Sequence, residues 1–205
     1  MKYFIFVAVS FFVGNASAQG PNINQYQHYF AGDLNQWAST FKNFQLSEFQ
    51  MKDSLPFDKS ERQDFRKISS FLSNLKPILT FNPDSSQFID IYTDQANISK
   101  EGDHFVANAD DGGAVFLCNM KSKHRKRIFY NSGSSEWMEE AVWVSKTKFI
   151  LAGISKNSKN DRIPLILVGD ATKQTLYEYI SRNSSCIQKA IYYSTKLKKM
   201  DIRDL

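Results

Sequence analysis

The chain has 205 residues, 42% of them hydrophobic and 23% charged, and 26 Lys and Arg against 21 Asp and Glu leave a net charge of +5. That balance is globular and excludes a disordered tail, a collagen and a coiled coil, and the length allows one domain or one domain with a small appendage. Two Cys exclude a disulfide-dense miniprotein and a Cys-built zinc or iron–sulfur site, and three His leave little for a His-based metal site.

The first 18 residues carry the strongest signal. Met1-Lys2 gives a positive start, residues 3–13 are apolar without a charge, and Ala16-Ser17-Ala18 presents small residues at the two positions a signal peptidase reads. The expectation is a signal peptide over 1–18, cleaved after Ala18, and a secreted or periplasmic protein. A membrane anchor is the alternative, but the apolar run is about 11 residues where a span needs roughly 20. No later stretch reaches that length, so a soluble mature chain without a transmembrane segment is expected. Lys2 is the only charge removed, taking +5 to +4. On a eukaryotic secretory route Asn97 and Asn183 would open glycosylation triplets.

Residues 19–77 read as a mainly helical segment. Asp33 precedes Leu34, Trp37, Phe41 and Phe44, one face of a helix with an Asp placed to cap it. Residues 44–57 show no clear period. Asp58 or Ser60 would cap a second helix whose stripe is Phe65, Ile68, Leu72 and Leu75, and Pro77 ends it.

From residue 78 the spacing changes, and 78–205 reads as an antiparallel β-rich region with a basic C-terminal tail, one domain with the helices. Strands are expected over 78–81, 88–92, 104–107, 114–120, 127–130, 140–144, 148–154, 163–168 and 174–180. Short turns rich in Gly, Asn, Asp and Ser separate them, among them 82–86 and a six-residue hairpin loop at 108–113. Residues 189–199 fit either a strand or a solvated helix. Such spacing implies antiparallel meanders rather than βαβ crossovers. Residues 81–89 and 141–150 each resemble the strand–turn–strand cue of β-propeller blades. A closed propeller needs ~4 or more blades, and about 110 residues of strand cannot supply them. The expected fold is therefore α+β, with N-terminal helices packed on an antiparallel β-meander region of blade-like sheets.

Cys118 lies in a strand and Cys186 after the last clear one. Two Cys in a secreted chain often pair, and closing the loop between them would add ~4 kcal/mol in the chain-entropy model. The alternative is two buried, unpaired thiols. His28, His104 and His124 have no ligand spacing, and Asp110-Asp111-Gly112-Gly113 lacks the calcium-loop pattern, so neither a metal nor a cofactor is expected.

Glu136, Glu139 and Glu140, with Trp137 and Trp143, form the most suggestive constellation. Paired carboxylates are the basis of glycoside hydrolysis, and Trp faces offer rigid apolar area to sugar rings. On a regular strand Glu139 and Glu140 point to opposite sides, so both face one cleft only if a bulge intervenes. Otherwise the second carboxylate must come from elsewhere, such as Asp90, Asp94, Asp110 or Asp111, and the bland alternative is a charged edge with Trp143 in the core. Lys121, Lys123, Arg125, Lys126 and Arg127 put five permanent cations in residues 121–127, and Lys196, Lys198, Lys199 and Arg203 follow in the tail. Such runs bind anionic surfaces or simply keep a turn soluble. With no nucleophile elbow, phosphate loop or CxxC motif in the chain, the reading is a non-catalytic exported binding module. Its partner would be an envelope component, glycan or protein, with no nucleic acid expected. The alternatives are a secreted hydrolase using carboxylates and a structural component of an envelope complex.

Overall fold

The computed structural model describes residues 20–58, 62–64, 68–101, 104–107, 112–131, 133, 135–200 and 202–203. The expected signal peptide lies outside the described residues. After a 3₁₀ turn at Ile23–Tyr26 come α1 (Gln27–Ala31), α2 (Asn35–Ala38), a second 3₁₀ turn at Leu46–Glu48, β1 (Phe49–Pro56), β2 (Arg62–Asp64) and α3 (Ile68–Leu75). A third 3₁₀ turn at Lys76–Ile78 leads to β3 (Thr80–Phe81), β4 (Gln87–Asp90), β5 (Ile98–Glu101), β6 (His104–Ala107) and β7 (Gly113–Asn119). The chain continues through β8 (His124–Asn131), β9 (Glu136–Trp143), β10 (Lys148–Lys156), β11 (Arg162–Asp170), β12 (Thr175–Ser181), α4 (Thr195–Lys198) and β13 (Ile202–Arg203). The fold is mixed α+β and mostly β.

Two five-stranded antiparallel sheets dominate. The first has the order β1-β12-β11-β10-β9 and the second β2-β8-β7-β4-β3. A small sheet, β13-β6-β5, joins β13 to β6 in parallel. Period-2 alternation divides each strand between two environments. Phe149, Leu151, Leu165 and Leu167 of the first sheet meet Ile89, Val115, Leu117 and Ile128 of the second in one intersheet core. Their sequence neighbours Ile150, Ala152, Ile166 and Val168 turn the other way, onto Tyr26, Phe30, Leu34 and Trp37 of the N-terminal helices. On the far side of the second sheet, Phe88, Phe116 and Cys118 pack under Phe71 and Leu72 of α3. The order of layers is therefore helices, sheet, sheet, helix. Covering both faces of the first sheet explains why β10 and β11 are near-continuous apolar runs.

The segment 19–77 is less helical than its pattern suggests. Leu34, Trp37 and Phe41 are buried as the stripe requires, but α2 is only one turn. Ser39 Oγ donates to Gln36 O (2.8 Å) and Thr40 Oγ1 to Trp37 O (2.7 Å), so side chains compete for the carbonyls. Asn43 then takes φ +50° and the chain leaves the helix. The second expected helix begins only at Ile68, because residues 62–64 pair with His124 to Lys126 as a strand; Ser60 and Phe65 lie outside the described residues. Residues 49–56 are an edge strand exposed along most of its length, so no burial alternation marks it. The meander β9–β12 forms as expected. Residues 108–111 of the expected hairpin loop lie outside the described residues; the strands on either side are not partners, since β6 belongs to the small sheet and β7 to the second. Among the described residues no helix is long and apolar enough to cross a membrane.

Candidate functional site

The carboxylates of β9 sit where the strand departs from regularity. Met138 pairs with Gly153 and Glu140 with Ala152, which leaves Glu139 as the extra residue of a β-bulge. Met138 and Ala141 both enter the intersheet core, so the two glutamates between them turn away from it together. β9 is an edge strand, and Gln95 finishes it. Its side-chain amide donates to Met138 O (3.0 Å) and accepts from Met138 N (3.1 Å), as a neighbouring strand would. Gly113 permits that approach, since a Cβ there would lie 2.6 Å from the Gln95 backbone.

Glu139 is buried and its carboxylate accepts a hydrogen bond from Trp37 Nε1 (2.9 Å), with Gln188 and Arg162 beside it. Burial disfavours the charged form and pushes this carboxyl up to about 7, against the opposing pull of the indole N–H. Glu140 accepts from Tyr192 Oη (2.9 Å) and Ser194 Oγ (3.0 Å) and is ion-paired with Lys196. The same ammonium donates to Thr80 Oγ1 (2.8 Å) and Ala141 O (3.3 Å). Glu140 thus holds the C-terminal segment against the edge of the first sheet. Glu136 is half-buried and separately placed. Burial and the charge of Glu178 raise its pKa, and Lys52 opposes them.

Trp143 is in the core, edge-on to Phe149 at 5.3 Å, with its indole N–H on Thr80 O (2.8 Å). It is therefore no surface platform for a sugar. Trp137 is half-buried and packs against both the intersheet and the helix-side cores. The partners Trp37, Gln95, Tyr192, Ser194 and Lys196 carry no local sequence signal. Each meets β9 only because distant segments fold onto it.

The five cations of 121–127 do not act as a block. Asn119 Oδ1 accepts from Lys121 N (3.0 Å) and Ser122 N (2.9 Å), closing the β7–β8 turn with Lys121 and Lys123 exposed at its tip. Arg125 stacks over Phe116 (4.3 Å) beneath α3. Arg127 pairs with Asp58 (2.5 Å) and lies over Tyr130 (4.7 Å). His124 and Lys126 pair with Asn119 and Leu117, and Lys126 Nζ donates to Gln174 Oε1 (2.7 Å) across the end of the two sheets. There a cavity of about 250 Å³ opens, with Phe57 and Leu117 as an apolar floor and Asn119, His124, Lys126 and Gln174 at its rim. Among the described residues none of its lining is acidic.

The expected disulfide does not form. Cys118 and Cys186 are both buried free thiols. Cys118 packs under α3 on the outer face of the second sheet and Cys186 under the N-terminal helices on the first, two cores separated by both sheets. Burial raises both thiol pKa values, Cys186 to about 11. Asp110 and Asp111 lie outside the described residues. Compared with models of known protein families and with curated protein sequences, the chain finds no match.

Proposed function

We propose that this chain is an exported binding module that takes an anionic group of an envelope component, such as a phosphate or carboxylate on a glycan or lipid, at the cavity between the ends of the two sheets. The observation that carries this reading is the cavity's chemistry: a cationic and amide rim over an apolar floor, without an acidic residue among the described residues of its lining. Its volume of about 250 Å³ falls just below the usual range for a whole small ligand of ~300–1,000 Å³. It suits one terminal group of a larger molecule. Lys121 and Lys123 at the hairpin tip add long-range attraction rather than contact. The meander β9–β12 serves as the blade-like support that holds the Asp170–Thr175 side of the rim.

Internal commitment of the carboxylates weighs against a hydrolase. Glu139 and Glu140 are occupied by Trp37, Tyr192, Ser194 and Lys196, and neither lines the cavity. The export part of the proposal rests on residues 1–18. The test is a titration of the protein with inorganic phosphate and with phosphorylated or carboxylated glycan fragments, followed by amide chemical shifts. Shifts should concentrate at residues 119, 124, 126 and 174. Lys126→Ala should weaken binding about tenfold, the scale of one charge-assisted contact. Lys121→Ala with Lys123→Ala should mainly reduce the salt dependence. Wild-type affinity in Lys126→Ala would place the ligand elsewhere.

A further inference from the structure

Residues 187–200 contain Lys189, Lys196, Lys198 and Lys199 and not one acidic residue. Both ends of the loop are tied down. On one side Gln188 N donates to Arg162 O (2.8 Å) and Lys189 N to Thr40 O (2.8 Å). On the other, Tyr192 and Ser194 donate to Glu140, and Leu197 and Met200 are buried. Between these anchors Ile191 is 78% exposed and Tyr193 38% exposed. Ile191 is the most exposed of the large hydrophobic side chains among the described residues. The ammonium of Lys198 stands 5.5 Å from the Tyr193 ring centre, and Lys189, Lys198 and Lys199 are all exposed. A loop free to collapse would cover its isoleucine; here the anchored backbone holds it out.

We infer that this loop is a docking element for the surface of an anionic phospholipid bilayer. An exposed aliphatic tip, a tyrosine at its side and exposed lysines along a stretch of chain without acids is the composition that seats at a lipid interface. The apolar tip enters the headgroup boundary, the amphipathic ring lies at headgroup level, and the ammonium groups meet lipid phosphates. One inserted side chain and three exposed lysines make the contact peripheral and reversible, and the electrostatic part falls within a Debye length. The inference stands apart from the proposed cavity ligand and uses none of the cavity's residues.

The test is co-sedimentation of the protein with vesicles of phosphatidylglycerol mixed into phosphatidylcholine, and with vesicles of phosphatidylcholine alone. Capture by the anionic vesicles and its loss on adding salt are expected. Ile191→Asp should abolish capture, and Lys198→Glu with Lys199→Glu should weaken it on the order of tenfold or more. The side chains changed are exposed, so thermal melting of these variants should match the parent. Lys126→Ala should still sediment, which lets the two proposals fail separately. Absence of capture, or equal capture by neutral and anionic vesicles, overturns the inference. Unchanged capture of Ile191→Asp also overturns it.

Discussion

Glu139 is the residue at which burial and charge are most directly opposed. An exposed glutamate titrates near 4.5, whereas this one is pushed up to about 7. Between those values the folded chain holds a proton that the unfolded chain has released. Stability therefore falls as pH rises from about 4.5 to about 7, and the penalty is complete above that window. Glu139→Gln keeps an oxygen for the Trp37 indole and removes the charge. The variant should match the parent at pH 4.5 and be more stable at pH 8 by up to about 3 kcal/mol, read as the difference in melting temperature at the two pH values. An equal shift at both would mean that Glu139 does not titrate there. The sequence makes Glu136, Glu139 and Glu140 conspicuous because acids are uncommon in an apolar strand. It does not reveal that Glu140 ends on Tyr192, Ser194 and Lys196, because those contacts span more than fifty positions of chain.

The bulge in β9 decides which way the acidic pair points, and Gly153 on β10 stands opposite it. A Cβ at Gly153 would lie 2.2 Å from Trp137 O and 3.0 Å from Met138 Cα, both backbone atoms of the neighbouring strand. Neither can yield without moving β9. Gly153→Ala should destabilise the fold by about 1–3 kcal/mol, the usual scale of overpacking. It should also release Glu139 from Trp37, seen as a loss of the indole N–H shift in NMR spectra. Destabilisation without that shift would separate the bulge from Glu139's placement. β10 to β12 are legible in the sequence because each is a mainly apolar run bounded by turn formers, whereas β9 is legible only from Glu140, since the acids at 136 and 139 break its pattern. β1 is not, because an exposed edge strand has no face to mark. The short helices are half-legible: the burial of Leu34, Trp37 and Phe41 follows from their spacing, but the local bonds of Ser39 and Thr40 that stop the helix do not.

The whole molecule is four layers, and the two cysteines lie in the two outermost cores. Reductant should therefore leave the melting temperature unchanged. An alkylating reagent should label neither thiol promptly in the folded protein and both in denaturant, read by mass. A chain that takes no label in denaturant without reductant would contain the disulfide after all and would refute this arrangement. The layers are not visible in the sequence, where period 2 says only that two faces exist and not which elements cover them. One more property lies in the strand order. β10, β11 and β12 each pair with the strand just before them, so the meander can assemble as it lengthens. β1 pairs only with β12, and the helical layer rests on a face that the meander must first supply. Residues 23–41 have no face to fold against until β10 and β11 are in place, and β1 has no partner until β12 is. If the chain is threaded through an export channel amino terminus first, as proposed, residues 23–56 enter ahead of the strands that they pack on.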